Sequence, residues 1–80
     1  MSGEKIIKTG RYRHYKGNDY QVLDFVIHSE TMEKLVLYRP LYGKGELWVR
    51  PFEMFFETVV VDGIQVDRFV FIDDIPVTLD

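Results

Sequence analysis

The amino-acid sequence predicts an all-β fold, and three observations carry this prediction. Short runs rich in β-branched and aromatic residues recur along the chain and alternate with polar, glycine-containing turns. An Asp-Gly pair at positions 62–63 lies between two such runs, as in a tight β-hairpin. No apolar pattern of helical period continues for about ten residues. The 80 residues are therefore expected to form one small domain of short strands.

The first two strands are expected in the first third of the chain. The first begins at Arg11, and the polar residues 16–19 that follow it favour a turn. Residues 20–28 are rich in β-branched and aromatic side chains, which favour a second strand. Because side chains alternate along a strand, its apolar residues are expected on one face. These residues are Leu23, Phe25 and Ile27.

The next segment is expected to form a hairpin with a glycine-containing loop. After the polar turn of residues 29–33, a strand is predicted over residues 34–42 and its return strand over residues 47–50. Hairpin loops of about three residues commonly end on a glycine in the left-handed conformation, which is here Gly45. The resulting register places Tyr38 opposite Arg50 and Pro40 opposite Trp48.

The second half of the chain begins with a proline that ends this hairpin. Pro51 has no amide hydrogen for a strand ladder and suits the start of a helical turn. One turn over residues 51–57 would bring three phenylalanines together. Beyond it, the Asp62-Gly63 hairpin and a last strand over residues 68–72 complete the predicted fold. The three phenylalanines are Phe52, Phe55 and Phe56.

Together these elements predict a small, five- to six-stranded SH3-like barrel or roll with one short helical turn. A sheet of this size must bury one face and protect its edges, and a bent, partly open barrel does both. A five-stranded oligonucleotide-binding barrel is the second choice because it usually needs a longer chain. The domain is expected over residues 10–72. A flexible arm or short edge strand is expected at 1–9 and an acidic tail at 73–80.

The composition excludes several classes of protein. The chain contains no cysteine, which excludes disulfides, thiolate metal sites and thiol nucleophiles and is typical of a reducing compartment. Neither a signal peptide nor a membrane-spanning run is expected, so we expect a soluble cytoplasmic protein with no membrane partner. Residues 1–50 carry nine basic and six acidic side chains, whereas residues 51–80 carry one basic and seven acidic. This acidic balance is unfavourable for general nucleic-acid binding.

One face of the predicted 34–50 hairpin collects the candidate binding residues. Leucines and a valine occupy one face as the expected core. The opposite face presents aromatic rings and a guanidinium, a combination suited to a binding surface. The alternative is that another segment covers this face and makes it core. The face consists of Tyr38, Pro40, Tyr42, Trp48 and Arg50, and Tyr12 and His14 are expected to contribute from a neighbouring strand.

Arg39 does not fit this arrangement, since it falls on the apolar face, where an unpaired charge is unfavourable. Either the strand ends at Pro40, or Arg39 lies at the rim of the barrel against a carboxylate such as Asp24 or Glu53. A shift of one residue would turn Arg39 outward, but it would also bury Trp48. The position of Arg39 and the function of the hairpin are therefore linked.

Catalytic chemistry finds little support in the sequence. His14, His28, Ser29 and Glu30 are the residues from which a reaction centre would have to be assembled. They form no nucleophile elbow and match no zinc-ligand spacing. Ser29 is better explained as the cap of the turn that follows it. We therefore expect no catalytic residue, no metal and no cofactor.

A long ordered motif extends over most of the chain. It runs through Gly10-x-Tyr12-x-His14-x-Lys16-Gly17-x-x-Tyr20-x-Val22, His28-Ser29-Glu30-Thr31, Tyr38-Arg39, Leu41-Tyr42-Gly43 and Leu47-Trp48-Val49-Arg50-Pro51. Over about residues 9–72 it resembles a family of short bacterial proteins catalogued only as a domain of unknown function. The resemblance implies a stand-alone bacterial domain with an SH3-like roll. It implies no activity, cofactor or partner.

The leading functional expectation is a non-catalytic binding module for a peptide or protein partner. A flat aromatic surface with one guanidinium suits a proline-rich or extended peptide. Single-stranded RNA would stack on the same rings, but the acidic second half of the chain disfavours it. Two alternatives belong to other classes. One is a small metal-dependent or hydrolytic enzyme centred on His14, His28 and Glu30, and the other is a structural domain that forms a homodimer through the aromatic face.

Overall fold

The computed structural model of the chain describes residues 7–74, which contain seven strands and one short helix. The predictions made for residues 1–6 and 75–80 lie outside this part of the chain. In chain order the elements are β1 (Gly10–His14), β2 (Asp19–Ile27), β3 (Lys34–Pro40), β4 (Trp48–Pro51), α1 (Phe52–Phe55), β5 (Thr58–Val61), β6 (Ile64–Asp67) and β7 (Phe69–Asp73).

Five of the strands form one antiparallel sheet in the order β4-β3-β2-β1-β7. Strands β5 and β6 form a separate two-stranded sheet. Within residues 7–74, β4 and β7 each have one hydrogen-bonded neighbour, so the large sheet does not close into a barrel. The prediction of a small all-β roll with one helical turn is confirmed. No helix among the described residues is long and apolar enough to span a membrane.

The core lies between the inner face of the five-stranded sheet and helix α1. Phe55 of the helix is fully buried and stacks on Phe69 of β7, with ring centroids 4.0 Å apart and planes 2° from parallel. Aromatic rings supply most of this core because each one buries a large apolar area in a small domain. Its buried residues are Tyr12, Tyr20, Val22, Val36, Tyr38, Phe55, Phe56 and Phe69.

A β-bulge in β2 changes which residues of that strand face the core. The pairing of β2 with β3 shifts between Val22 and Asp24, so the inward residues are Val22 before the bulge and Phe25 after it. The prediction that Leu23, Phe25 and Ile27 share one face is therefore wrong at Leu23. Leu23 lies in the bulge and Ile27 at the strand end, and both are exposed.

The β3–β4 hairpin has the predicted strands but a different register. Tyr38 lies opposite Trp48, and Val36 lies opposite Arg50. The connecting segment covers residues 41–47 rather than a three-residue loop, although Gly45 has the predicted left-handed conformation with φ of 64°. The register differs from the predicted one by two residues, which leaves each side chain on the same face of the sheet.

The core face of this hairpin is the one that the sequence assigned to binding. Val36, Tyr38 and Pro40 are buried, whereas Leu47 and Val49 are exposed. The leucine-bearing face is the outer one because the rings of β2, β7 and α1 cover the aromatic face instead.

This reversal also explains Arg39. Strand β3 ends at Pro40, as one of the two alternatives predicted, and Arg39 lies on the outer face beside Gln21 of β2. Arg39 as a residue is half-buried on this face rather than placed in the core. Arg39 was predicted to point into the core only because the leucine-bearing face of the hairpin was predicted to be the core face.

The Asp62-Gly63 turn is confirmed. Asp62 and Gly63 both have positive φ, at 52° and 78°, as a type I′ turn requires. Helix α1 is confirmed as well, with Pro51 as the residue that precedes its first turn.

Candidate functional site

The aromatic core continues to the protein surface at one end of the sheet, where it forms a region that we call the aromatic patch. The patch consists of His14, Tyr20, Tyr42, Trp48 and Arg50. Tyr42 and Trp48 are 46% and 44% exposed. Both rings pack on Tyr20, with centroid distances of 5.7 and 6.4 Å. The patch therefore presents two large rings to solvent on a buried aromatic support.

Strand β4 positions Trp48 and Arg50 on the same face. They are two residues apart in an extended strand, so their side chains point in the same direction. Trp48 lies opposite Tyr38 and contacts its ring edge-on at 6.0 Å. Strand β4 is an edge strand of the described sheet, so no further strand of these residues flanks the indole, which is 44% exposed.

A hydroxyl pair fixes Tyr42 to the support. The hydroxyls of Tyr20 and Tyr42 form a hydrogen bond of 2.9 Å. Burial, followed by this hydrogen bond, raises the pKa of Tyr20 to about 12. Tyr20 is therefore uncharged near neutral pH, and the exposed Tyr42 ring is held by both a hydroxyl contact and a ring contact.

Arg50 is the charged member of the patch and is held by two buried rings. Its Nε–H donates to the hydroxyl of Tyr38 at 3.3 Å. Its guanidinium lies over the ring of Phe69, 5.9 Å from the centroid, which is within the range of a cation–π interaction. Tyr38 and Phe69 are themselves buried, so they restrict the motion of the arginine head group.

His14 also packs against Phe69. The two rings are edge-on, with centroids 4.9 Å apart. The backbone N–H of Lys16 donates to His14 Nδ1 at 3.1 Å, so the neutral imidazole carries its hydrogen on Nε2. Burial lowers the pKa of His14, and the positive charges of Arg68, Lys16 and Arg50 lower it further.

Pro40, which shared the predicted binding face, is buried opposite Tyr20. Of the six other residues that the sequence proposed for binding, the structure brings five together. Tyr42, Trp48, Arg50 and His14 border the surface, and Tyr38 lies directly beneath them. Tyr12 is placed elsewhere in the core. Its ring packs against helix α1 and β7, and its hydroxyl donates to the carbonyl of Lys8 at 2.7 Å.

Sequence reasoning missed Tyr20, which contacts every aromatic member of the patch. The motif contained this residue, but its place next to the predicted turn at 16–19 suggested only the start of a strand. The cross-strand pairing of Tyr20 with Pro40 is what brings it under the β3–β4 hairpin. That pairing depends on the bulge in β2, which the alternation of the sequence does not reveal.

In the described part of the chain, the patch member Arg50 and the adjacent Lys16 are not paired with carboxylates. The other arginines nearby are neutralised by acidic partners in Arg11–Asp73, Arg13–Asp19 and Arg68–Glu57 pairs. The border of the patch is therefore positively charged, although the chain as a whole is acidic.

The geometry does not assemble the alternative centre of His14, His28 and Glu30. His14 ends β1 beside the start of β2, whereas His28 follows the other end of that strand of nine residues. The Nδ1 atom of His28 accepts hydrogen bonds from the backbone amides of Glu30 and Thr31 at 3.1 and 3.3 Å, which caps the turn. No group of three or more potential ligands that could hold a metal occurs in the described part of the chain.

A separate groove of about 470 Å³ runs beside helix α1 and contains no residue of the patch. Its lining mixes both signs of charge with apolar side chains. The ammonium of Lys34 covers the ring of Phe52 there at 4.7 Å. Because this ring is already occupied by a cation of the same chain, the groove is the weaker candidate for ligand binding. The groove is lined by Glu33, Lys34, Pro51, Phe52, Glu53 and Met54.

Comparison with other proteins places this fold in a known group. No curated protein matches the chain. A crystal structure of a DUF1653 protein from Bordetella bronchiseptica is similar, with a TM-score of 0.79 and 30% sequence identity. The similarity covers 90% of this chain and 95% of the Bordetella chain. The model of DUF1653, a family of proteins of unknown function, matches residues 10–71 and agrees with the resemblance drawn from the sequence, so the chain belongs to this family.

Proposed function

We propose that the domain is a non-catalytic binding module whose aromatic patch binds an extended, proline-containing peptide of a protein partner. The observation that carries this proposal is the pair of nearly half-exposed rings, Tyr42 and Trp48, on the buried ring of Tyr20. Rings of this kind form the grooves that recognise polyproline conformations. Since the chain contains no cysteine, we propose that this partner lies in the reducing cytoplasm.

The fixed position of the two rings favours binding. Tyr42 is held by its hydroxyl bond, and Trp48 is held by edge contact with Tyr38. A side chain that is already ordered loses little conformational entropy when a ligand covers it. A proline-rich segment is likewise extended before it binds, so both partners are preorganised.

Titration with an amidated proline decapeptide, followed by two-dimensional NMR, tests this function. We expect saturable shifts confined to the patch, with a dissociation constant on the order of 10–1,000 μM for such a generic probe. Replacing Trp48 by Ala should abolish these shifts. The matched control is Val60→Ala, which removes a more exposed side chain from the β5–β6 hairpin and should leave binding unchanged. Binding that is equal in both variants would contradict the proposal.

Single-stranded RNA is the second candidate because unpaired cations adjoin the exposed rings. Bases stack on such rings, and phosphates would contact Arg50 and Lys16. A decameric oligouridine distinguishes the two functions. If the patch binds RNA, the oligouridine should bind more tightly than the proline peptide, and its affinity should fall steeply between 50 and 200 mM salt, as is usual for phosphate contacts. Because the second half of the chain is acidic, we expect the proline peptide to bind more tightly than the oligouridine.

A further inference from the structure

We infer that the peptide carries an acidic side chain two positions from its docking proline, and that Arg50 binds this carboxylate with support from His14. This inference deepens the proposed function and rests on it. It concerns what surrounds the exposed rings rather than the rings themselves.

The first argument is the unused hydrogen-bonding capacity of Arg50. Its Nε–H is taken by the hydroxyl of Tyr38, which leaves the terminal Nη1 and Nη2 groups available. Within residues 7–74, no hydrogen bond or ion pair uses these two groups. A planar guanidinium that presents both terminal nitrogens can bind the two oxygens of one carboxylate.

The second argument is that the charge of Arg50 is held at a half-buried position without neutralisation. The side chain is fixed between Tyr38 and Phe69 instead of extending into water. A partly desolvated cation gains more from an anionic ligand than a fully hydrated one does. Lys16 adds a second unpaired positive charge on the His14 side of the patch.

The third argument is the donor on His14. Because Nδ1 accepts the Lys16 amide hydrogen, Nε2–H of the neutral ring is the remaining donor. His14 and Arg50 both contact Phe69, with the His14 centroid 4.9 Å and the Arg50 guanidinium carbon 5.9 Å from the centroid of its ring. The charged groups that act on His14 are Arg68, Lys16 and Arg50, and Glu57 neutralises the first of these. Arg50 and His14 therefore both hold hydrogen-bond donors next to the same buried ring.

The spacing along β4 specifies where the acidic residue lies in the peptide. Trp48 and Arg50 are two residues apart on one face, which corresponds to about 7 Å along a strand. Side chains two positions apart have the same spacing and direction when the ligand segment beside the proline has the β conformation, which is extended like polyproline II but repeats every two residues instead of every three. If a proline of the peptide packs on Trp48, the peptide residue two positions away therefore has its side chain next to Arg50. The spacing favours an internal Asp or Glu rather than a chain terminus.

Selection from a phage library of twelve-residue peptides tests this inference. The peptides are fused through their C-termini, so every carboxylate selected is a side chain. We expect wild-type protein to enrich peptides with proline and an acidic residue two positions apart. Arg50→Glu should replace the acidic residue by Lys or Arg at the same spacing. The matched control is Arg39→Glu, which makes the same charge change on the outer face and should keep the acidic preference.

The affinity of one enriched peptide, measured directly, completes the test. It uses the milder variant Arg50→Gln, so the inference can still be tested if Arg50→Glu does not fold. The Glu form of the peptide should bind about tenfold more tightly than its Gln form, and Arg50→Gln should remove that difference. Enrichment of proline without an acidic residue would overturn this inference and leave the proposed function standing. No enrichment above the Trp48→Ala background would overturn both. A Gln peptide with a free C-terminal acid that binds as tightly as the Glu peptide would show that the terminus, not the side chain, is recognised.

Discussion

At the scale of single residues, the tyrosines divide into a supporting set and an exposed set. Tyr20 and Tyr38 are buried, and the exposed rings of Tyr42 and Trp48 pack against them. Tyr42 has the same chemistry but lies in the segment between β3 and β4, where one side of the ring faces water. Residue type alone therefore does not distinguish support from contact surface. Whether a tyrosine is buried or exposed depends on the face of the sheet to which it points and on whether another element covers that face.

Trp48 offers a direct measurement of this exposure because it is the one tryptophan of the chain. We expect its emission to be red-shifted and quenched by iodide. Iodide should quench more strongly than caesium, since Arg50 attracts anions to the patch. Neutral acrylamide serves as the control for simple accessibility. Blue-shifted emission that iodide does not quench would place the indole in the core.

His14 should titrate below the ordinary histidine range. Burial and neighbouring cations lower its pKa from 6.5, and NMR of the imidazole protons measures it. Lys16→Gln should raise this pKa because one of those positive charges is removed. Lys44→Gln, which removes a charge from the β3–β4 connection instead, is the matched control. An equal rise in both variants would show a general charge effect rather than a local one.

The same shift makes the free energy of unfolding depend on pH. The unfolded chain protonates His14 near pH 6.5, whereas the folded protein resists protonation until lower pH. Stability should therefore decrease as the pH falls from 6.5 through the pKa of folded His14. Urea denaturation of wild type and His14→Gln at pH 7.5 and pH 5 measures this difference. If both proteins lose the same stability, His14 is not the group responsible.

At the scale of elements, the pairing of β1 with β7 completes the sheet beside the patch. Its register is irregular between Arg11 and Tyr12, next to the first residue of β1. Gly10 has φ of 141°, and a Cβ atom there would lie 2.5 Å from the carbonyl oxygen of Asp73. Only glycine allows the two backbones to approach this closely. This pairing also brings Phe69 beside His14.

Gly10→Ala should therefore destabilise the protein by about 3 kcal/mol, through backbone strain and separation of the two strands. Gly17→Ala is the matched control. Gly17 also has positive φ, at 109°, but its Cβ would meet nothing within 4 Å. In Gly17→Ala, backbone strain alone should lower the free energy of unfolding by about 1 kcal/mol. Urea denaturation compares the two variants, and equal losses would argue against the close approach of β1 and β7.

At the scale of the whole molecule, the five-stranded sheet and the β5–β6 hairpin differ in how they are supported. The sheet carries the aromatic core and helix α1. The hairpin is a separate two-stranded sheet, and its Val60 and Ile64 are about two-thirds exposed, at 67% and 65%. Backbone hydrogen bonds of Arg68 with Glu57 and Tyr15 tie its base to the rest of the fold. A two-stranded ribbon is marginally stable in water without further packing.

Amide hydrogen exchange should therefore separate the two parts. We expect the slowest exchange at Val22 and Val36, which are fully buried in neighbouring strands of the large sheet. Amides that bond between β5 and β6 should exchange through local opening at a lower free energy than global unfolding. Uniform protection across both sheets would show that the hairpin opens only when the whole domain unfolds.

The sequence by itself determined the elements of this protein. Local rules were sufficient because the positive φ of the Asp62-Gly63 turn, the break at Pro51 and the alternation of β-branched runs depend on near neighbours. The same local information gathered Tyr38, Tyr42, Trp48 and Arg50 on one face of a hairpin. It also identified the family through an ordered motif.

Tertiary structure decided which face of that hairpin is core. The bulge in β2 and the two-residue change of register bring Tyr20 under the hairpin, and Phe55 of the helix then covers Tyr38 but not Trp48. Both faces of the hairpin are apolar enough to be buried, so local periodicity does not choose between them. The choice follows from rings contributed by β2, β7 and α1, which are distant in sequence and adjacent only in the folded protein.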